Sequence, residues 1–193
     1  MQTLPIFCNY ITFDEVILTN KKDLLEFCYK KAEEGKLSDG LQQSLFIDSS
    51  EPAVSELVTK VQQRFDQLHV DRNFNKNFKQ TIQKFWINVN NNINISAPHG
   101  HPESFFSAVY YPQVGTNPGN LTFLNPNNQL QYVIKPDYVN EFDEFNSALY
   151  HVTPSTDLLI IFPSWLWHFV RHTNQSDLDR ISIAFDTKIE KNE

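Results

Sequence analysis

The chain has 193 residues, a formal net charge of −7 and 13% aromatic residues, including 16 Phe. That length suffices for one substantial core, and the aromatic content argues for a folded chain despite its many Asn and Gln. Acidic residues outnumber basic ones in both halves, which removes the basic footprint that phosphate backbones require, so no nucleic-acid partner is expected.

Residues 3–19 read as one or two short strands, Thr3 to Tyr10 and Phe13 to Leu18. Asn20 then precedes KKDLLEFCYKKAEE, where Leu24, Leu25, Phe27, Cys28 and Ala32 share a helical face, Asp23 sits at a capping-box position and Gly35 supplies the stop. A short strand is expected at Leu45 to Ile47. Ser50-Glu51-Pro52 is a helix start, because proline is tolerated in the first turn. Val54, Leu57, Val58, Val61, Phe65 and Leu68 continue it as a wide apolar stripe to about His69.

From Thr81 the period changes from helical to alternating: Phe85, Ile87 and Val89 interleave with Trp86, Asn88 and Asn90. Strands are expected near 83–90, 93–97, 105–112, 120–124, 130–134, 148–152, 158–162, 166–172 and 179–188. A helical start followed by this many short strands predicts a mainly β fold, a sandwich or jelly roll with helices packed on one sheet. No long Pro/Gly/Ser linker divides the chain. It is read as a single domain over 1–193, with 1–80 as helical support and 81–188 as the β core.

Two stretches carry chemistry. In SAPHGHPESFFSAVYY, His99 and His101 have i, i+2 spacing, so on extended backbone both point to one face. In FPSWLWHFVRHTNQSDLDRISIAF, His168 is followed by Arg180 and Ser182, again two apart, one strand further on across the polar segment Thr173 to Asp179. In an antiparallel hairpin these side chains can share one cavity. Three facial ligands with open positions suit non-haem Fe(II), and an arginine suits the far carboxylate of a 2-oxo acid better than a lysine does.

The ordered set Trp86-x-Asn88, PHGHPES-x-x-SAVYY, LLIIFPSWLWH and RISIAF resembles the 2-oxoglutarate/Fe(II) oxygenase family with HxHP…SGVYY and FPSWLxH…RISISF signatures, found in bacteria and marine phages. The resemblance spans about 86–186. It implies a double-stranded β-helix, that is, a jelly-roll or cupin-like barrel. It also implies His99, His101 and His168 at the metal positions and Arg180 at the 2-oxoglutarate position. Tyr111 then stands where related enzymes use a tyrosine on the same carboxylate, with Ser182 as an added donor.

The implied activity is a dioxygenase that takes Fe(II), 2-oxoglutarate and O2 and hydroxylates a small-molecule or protein substrate, releasing succinate and CO2. The first frame gives a three-histidine site; His101-Pro102-Glu103 offers Glu103 as an alternative carboxylate ligand. The alternative function is a jelly-roll module that binds a metal or small ligand without turnover.

Around this site, Ser107, Val109 and Tyr111 share one strand face and Tyr110 takes the other, while Ala108 replaces the usual glycine and narrows that side. Asn88 and Ser107 are candidate pocket residues. Trp86 is expected in the core, on a strand with the cavity as its other destination, and Trp165 and Trp167 are expected to pack, with the pocket edge as the alternative for one of them; His69, His151 and His172 are read as structural or rim residues. Cys8 and Cys28 without a CxxC fit a reducing cytoplasm, the host's if the chain is phage-encoded. No apolar run approaches the ~18 residues of a membrane span, and a homodimer is a candidate assembly.

Overall fold

Side-chain alternation decides how this chain is layered. The computed structural model describes residues 9–34, 45–90, 96–127, 129–171 and 177–192. Their elements, in order, are β1 (Thr12–Glu15), α1 (Lys21–Glu34), β2 (Leu45–Phe46), α2 (Pro52–Asp71), β3 (Phe78–Asn90), β4 (Phe106–Gln113) and β5 (Asn120–Leu124). After these come α3 (Leu130–Val133), a 3₁₀ turn (Pro136–Tyr138), β6 (Leu149–Val152), β7 (Leu158–Pro163), β8 (His168–Arg171) and β9 (Arg180–Lys191). The strands form two antiparallel sheets, one of order β1-β7-β4-β9-β3-β2 and one of order β6-β5-β8.

In the larger sheet every second residue is apolar and meets the helices. Phe85, Ile87 and Val89 of β3 share a core with Ala108 and Tyr110 of β4, Leu159 and Ile161 of β7, and Ile181, Ile183 and Phe185 of β9. Against them α1 buries Leu24, Cys28 and Ala32 at i, i+4, i+8, and α2 buries Val54, Leu57, Val61, Phe65 and Leu68. Each fully buried Leu, Ile or Phe here contributes roughly 1.5–3 kcal/mol before entropy. With that layer securing the sheet on one side, the opposite face is free to be polar.

That opposite face carries Trp86, Asn88 and Asn90 of β3, Ser107, Val109 and Tyr111 of β4, and Arg180, Ser182 and Ala184 of β9, all lining a cavity of about 280 Å³. The smaller sheet closes it: Leu121 and Phe123 of β5 and Val152 of β6 pack with Tyr111, Ile160 and Phe162 in a second core. Register fixes the wall, with Asn90 opposite Arg180, Asn88 opposite Ser182 and Trp86 opposite Ala184.

Several expectations change. The segment 130–134 holds a helical turn, α3, rather than a strand; it follows Pro126, and among the described residues no strand pairs with it to complete a ladder. The first described strand stops at Glu15; the Val16 N–H still donates to the Asp157 carbonyl at 2.8 Å in the same register before the chain enters α1. Strand β3 starts at Phe78, earlier than expected, and α2 runs on to Asp71. Ser96 and Ala97 are not in a strand, and the rest of that expected strand, most of the one at 3–10, Cys8, Gly35 and His172 lie outside the described residues.

Candidate metal centre

His99 and His168 come together through backbone pairing. The His99 N–H donates to the His168 carbonyl at 3.0 Å and the His168 N–H to the His99 carbonyl at 2.9 Å, an antiparallel bridge that sets the two rings 4.5 Å apart. Two residues on, the His101 N–H donates to the Ser164 carbonyl at 2.8 Å, so its ring falls on the same side as His99. Gly100 lies between them against the Ser164 and Trp165 carbonyls, each 3.4 Å from where a Cβ would stand. One nitrogen from each of the three rings lies within 4.8 Å of the other two.

The tautomers follow from the partners. Nδ1 of His99 lies 2.8 Å from the Ala97 carbonyl, Nδ1 of His168 lies 2.9 Å from the Leu166 carbonyl, and Nδ1 of His101 lies 2.8 Å from Oδ2 of Asp186. Each of those oxygens accepts, so each Nδ1 donates, and each Nε2 is left with a lone pair. Nε2 of His101 is buried with no hydrogen-bond partner. A buried acceptor is costly to leave bare, and a divalent cation with open coordination positions fits this nitrogen set.

Burial grades across the triad from exposed His99 through His101 to buried His168. Phe162 packs edge-on against His168 with ring centres 4.8 Å apart, and burial, helped by the two neighbouring imidazoles, pushes the His168 pKa down to about 4. His168 is therefore neutral and ligand-competent at neutral pH. Trp86, expected in the core, instead lies on the cavity face and stacks on His101 at 5.6 Å.

Across the cavity Arg180 is 4% exposed. Its Nη2 donates to Tyr111 Oη at 3.1 Å, its Nε has no partner, and among the described residues no carboxylate pairs with it. Burial raises the Tyr111 pKa, opposed by the arginine, so the phenol keeps its proton and can donate it into the cavity. A buried guanidinium without a counter-charge costs several kcal/mol, which an anionic ligand would offset. Ser182 lines the same wall.

The structure thus brings His99, His101, His168, Arg180, Ser182, Tyr111, Asn88 and Ser107 to one cavity. Glu103 is elsewhere, exposed in the turn after His101. Tyr110 alternates to the helix side and donates to the Val16 carbonyl at 3.0 Å, and Ala108 joins that core while also bordering the cavity. Trp165 and Trp167 do not pack inside but are 53% and 56% exposed. His151 and Thr122 Oγ1 are 2.9 Å apart on the small sheet. Among the described residues no helix is long and apolar enough to cross a membrane.

Sequence reasoning missed Asp186, Asn90 and Ser96. Extending the i, i+2 reading of Arg180 and Ser182 along β9 reaches Ala184 and then Asp186, so the signal for Asp186 was present. Asp186 is fully buried; burial would raise its carboxyl, but hydrogen bonds from His101 and Ser107 and the ammonium of Lys84 outweigh it, and the net direction is down.

A profile of the family described as "Putative 2OG-Fe(II) oxygenase" matches residues 84–186. No curated protein matches the sequence. Among solved structures, a prolyl-4-hydroxylase of Pseudomonas putida superposes with TM-score 0.62 at 14% identity, covering 96% of this chain and 89% of its own. The non-heme alpha ketoglutarate dependent epimerase SnoN from nogalamycin biosynthesis gives TM-score 0.63 at 11% identity, covering 95% and 81%. The viral collagen prolyl hydroxylase of Paramecium Bursaria Chlorella virus-1, as its 2OG complex, gives 0.55 at 10%, covering 92% and 95%. At such identities these likenesses speak to the fold, a double-stranded β-helix. The profile match covers more than half of the sequence, and the chain belongs to the 2OG-Fe(II) oxygenase family, whose enzymes use Fe(II), 2-oxoglutarate and O2.

Proposed function

We propose that this chain holds Fe(II) through Nε2 of His99, His101 and His168, anchors the far carboxylate of 2-oxoglutarate on Arg180 with Tyr111 and Ser182, and hydroxylates a C–H bond of its substrate. The observation that carries the reading is the pairing of opposites in one cavity: three imidazoles with Nδ1 already committed, facing a buried arginine that no carboxylate pairs with among the described residues.

When bound, Fe(II) with 2-oxoglutarate and O2 supplies the oxidising chemistry and yields succinate and CO2. The chain's own groups do the rest. The backbone bridge between His99 and His168 fixes two of the donor rings before metal arrives. Arg180 offers a charge-assisted donor and Tyr111 a neutral one, which together orient a carboxylate. Phe162 of β7, with Leu121 and Val170 of the smaller sheet, makes one side of the cavity apolar, which limits water beside the metal position. Asn88 and Asn90 supply a polar wall on β3.

Three neutral imidazoles leave the metal more positive than a set with a carboxylate would, and that favours an anionic cosubstrate. The test is aerobic turnover of 2-oxoglutarate with added Fe(II) and a reductant. Succinate release that disappears in His168→Ala supports the reading. Metal binding with no succinate release across a broad panel of candidate substrates would favour a binding module instead.

A further inference from the structure

Two of the three histidines are oriented by their own loops: His99 and His168 each donate Nδ1 to the carbonyl two residues earlier. His101 is different. Its Nδ1 is held by a side chain from another strand, Asp186 of β9, at 2.8 Å.

Asp186 is built into its position by both neighbouring strands. Across β4 it stands opposite Ser107, whose hydroxyl donates to Oδ1 at 2.6 Å and lies 2.9 Å from the Ser164 hydroxyl. Across β3 it stands opposite Lys84, whose Nζ is 3.3 Å from Oδ2. A β-bulge between Ile82 and Lys84 makes that second pairing, because the extra residue, Gln83, lets Ile82 pack toward the helices while Lys84 takes the cavity face. Both carboxylate oxygens are therefore satisfied, and the side chain is fully buried.

We propose that Asp186 is the positioning residue of the metal centre and its missing carboxylate moved one ring outward. It holds His101 with Nε2 aimed at the metal position, and it supplies through the imidazole the negative charge that three histidines lack. Lys84, partly exposed behind it, offsets some of that charge. A carboxylate behind a metal-bound histidine fixes the ring and raises its basicity, and losing such a partner typically weakens metal binding about 10–100-fold.

This inference rests on the three-histidine reading, and the experiment separates the two. Co(II) is titrated anaerobically into wild type, His101→Ala, Asp186→Asn and Lys84→Met, with thermal melts of each apo protein. In parallel, nitrogen NMR of the labelled apo protein reads the His101 tautomer. Asp186→Asn keeps the shape but removes the charge. Expected are roughly 10–100-fold weaker Co(II) binding in Asp186→Asn, no weakening in Lys84→Met, and a His101 ring that is Nδ1-protonated in wild type and mixed in Asp186→Asn. Co(II) affinity within twofold of wild type in folded Asp186→Asn, or equal weakening in Lys84→Met, would overturn the inference. If His101→Ala binds Co(II) as wild type does, it is the triad that fails. Should Asp186→Asn not fold, Ser107→Ala takes its place, with weaker Co(II) binding expected and unchanged binding contradicting the proposal.

Discussion

His99 and His168 are joined by two backbone hydrogen bonds, of 3.0 and 2.9 Å, and carry their rings 4.5 Å apart on the same side of that bridge. No side-chain atom takes part in the bridge, so the geometry of the two proposed ligands is a consequence of strand pairing. His168→Ala is accordingly expected to abolish Fe(II) binding while keeping the fold, at a cost within about 3 kcal/mol. Metal content after reconstitution, with a denaturant melt beside it, checks both halves.

Arg180 is the proposed anchor for the cosubstrate. Arg180→Ala should raise the 2-oxoglutarate requirement by roughly 10–100-fold, the loss of one to two charge-assisted bonds, while Fe(II) affinity is spared. Arg180→Lys should recover only part, since an ammonium lacks the planar fork. In the apo protein Arg180→Met should be at least as stable as wild type, because it removes a buried cation that no described carboxylate balances. Equal loss of metal and cosubstrate in Arg180→Ala would mark a structural arginine.

Glu103 lies in an exposed turn outside the cavity wall. Glu103→Gln should therefore leave Fe(II) affinity within about twofold of wild type, because an exposed group in water adds little at that range. Calorimetric metal titration decides it, and a large loss would make Glu103 a ligand.

The depressed His168 pKa gives the apo protein a pH dependence with a definite sign. Buried and neutral in the fold, His168 titrates at about 4 against an ordinary value of 6.5, so between those values the unfolded chain binds the extra proton. Stability is full above pH 6.5 and falls as the pH drops toward 4, by roughly 2–3 kcal/mol at pH 4.5. Asp186 does not confuse this window, since a depressed carboxylate loses its contribution only below its ordinary 3.8. Urea unfolding of chelator-treated protein at pH 7 and 4.5 should show a larger fall for wild type than for His168→Gln.

Much of this was legible in sequence because it rests on a period of two. Arg180-Ile181-Ser182 and Ser107 to Tyr111 each announce a strand with one apolar and one functional face, and their positions in the cavity follow from that. The helices were equally clear from the stripes of α1 and α2. What alternation does not encode is pairing. That His99 meets His168, that Lys84 meets Asp186 across a bulge, and that Trp86 turns to the cavity all depend on register between distant strands. The short α3 was missed for a related reason: an apolar run of four reads alike as strand or helix until its neighbours are known.

The most direct test of the central claim is a crystal of the protein prepared anaerobically with Fe(II) and 2-oxoglutarate, with an anomalous difference map at the iron edge. The expected result is one iron bonded to Nε2 of His99, His101 and His168, with the far carboxylate of 2-oxoglutarate on Arg180 and Tyr111. Iron bound through Glu103, or no iron at the histidines, would contradict it.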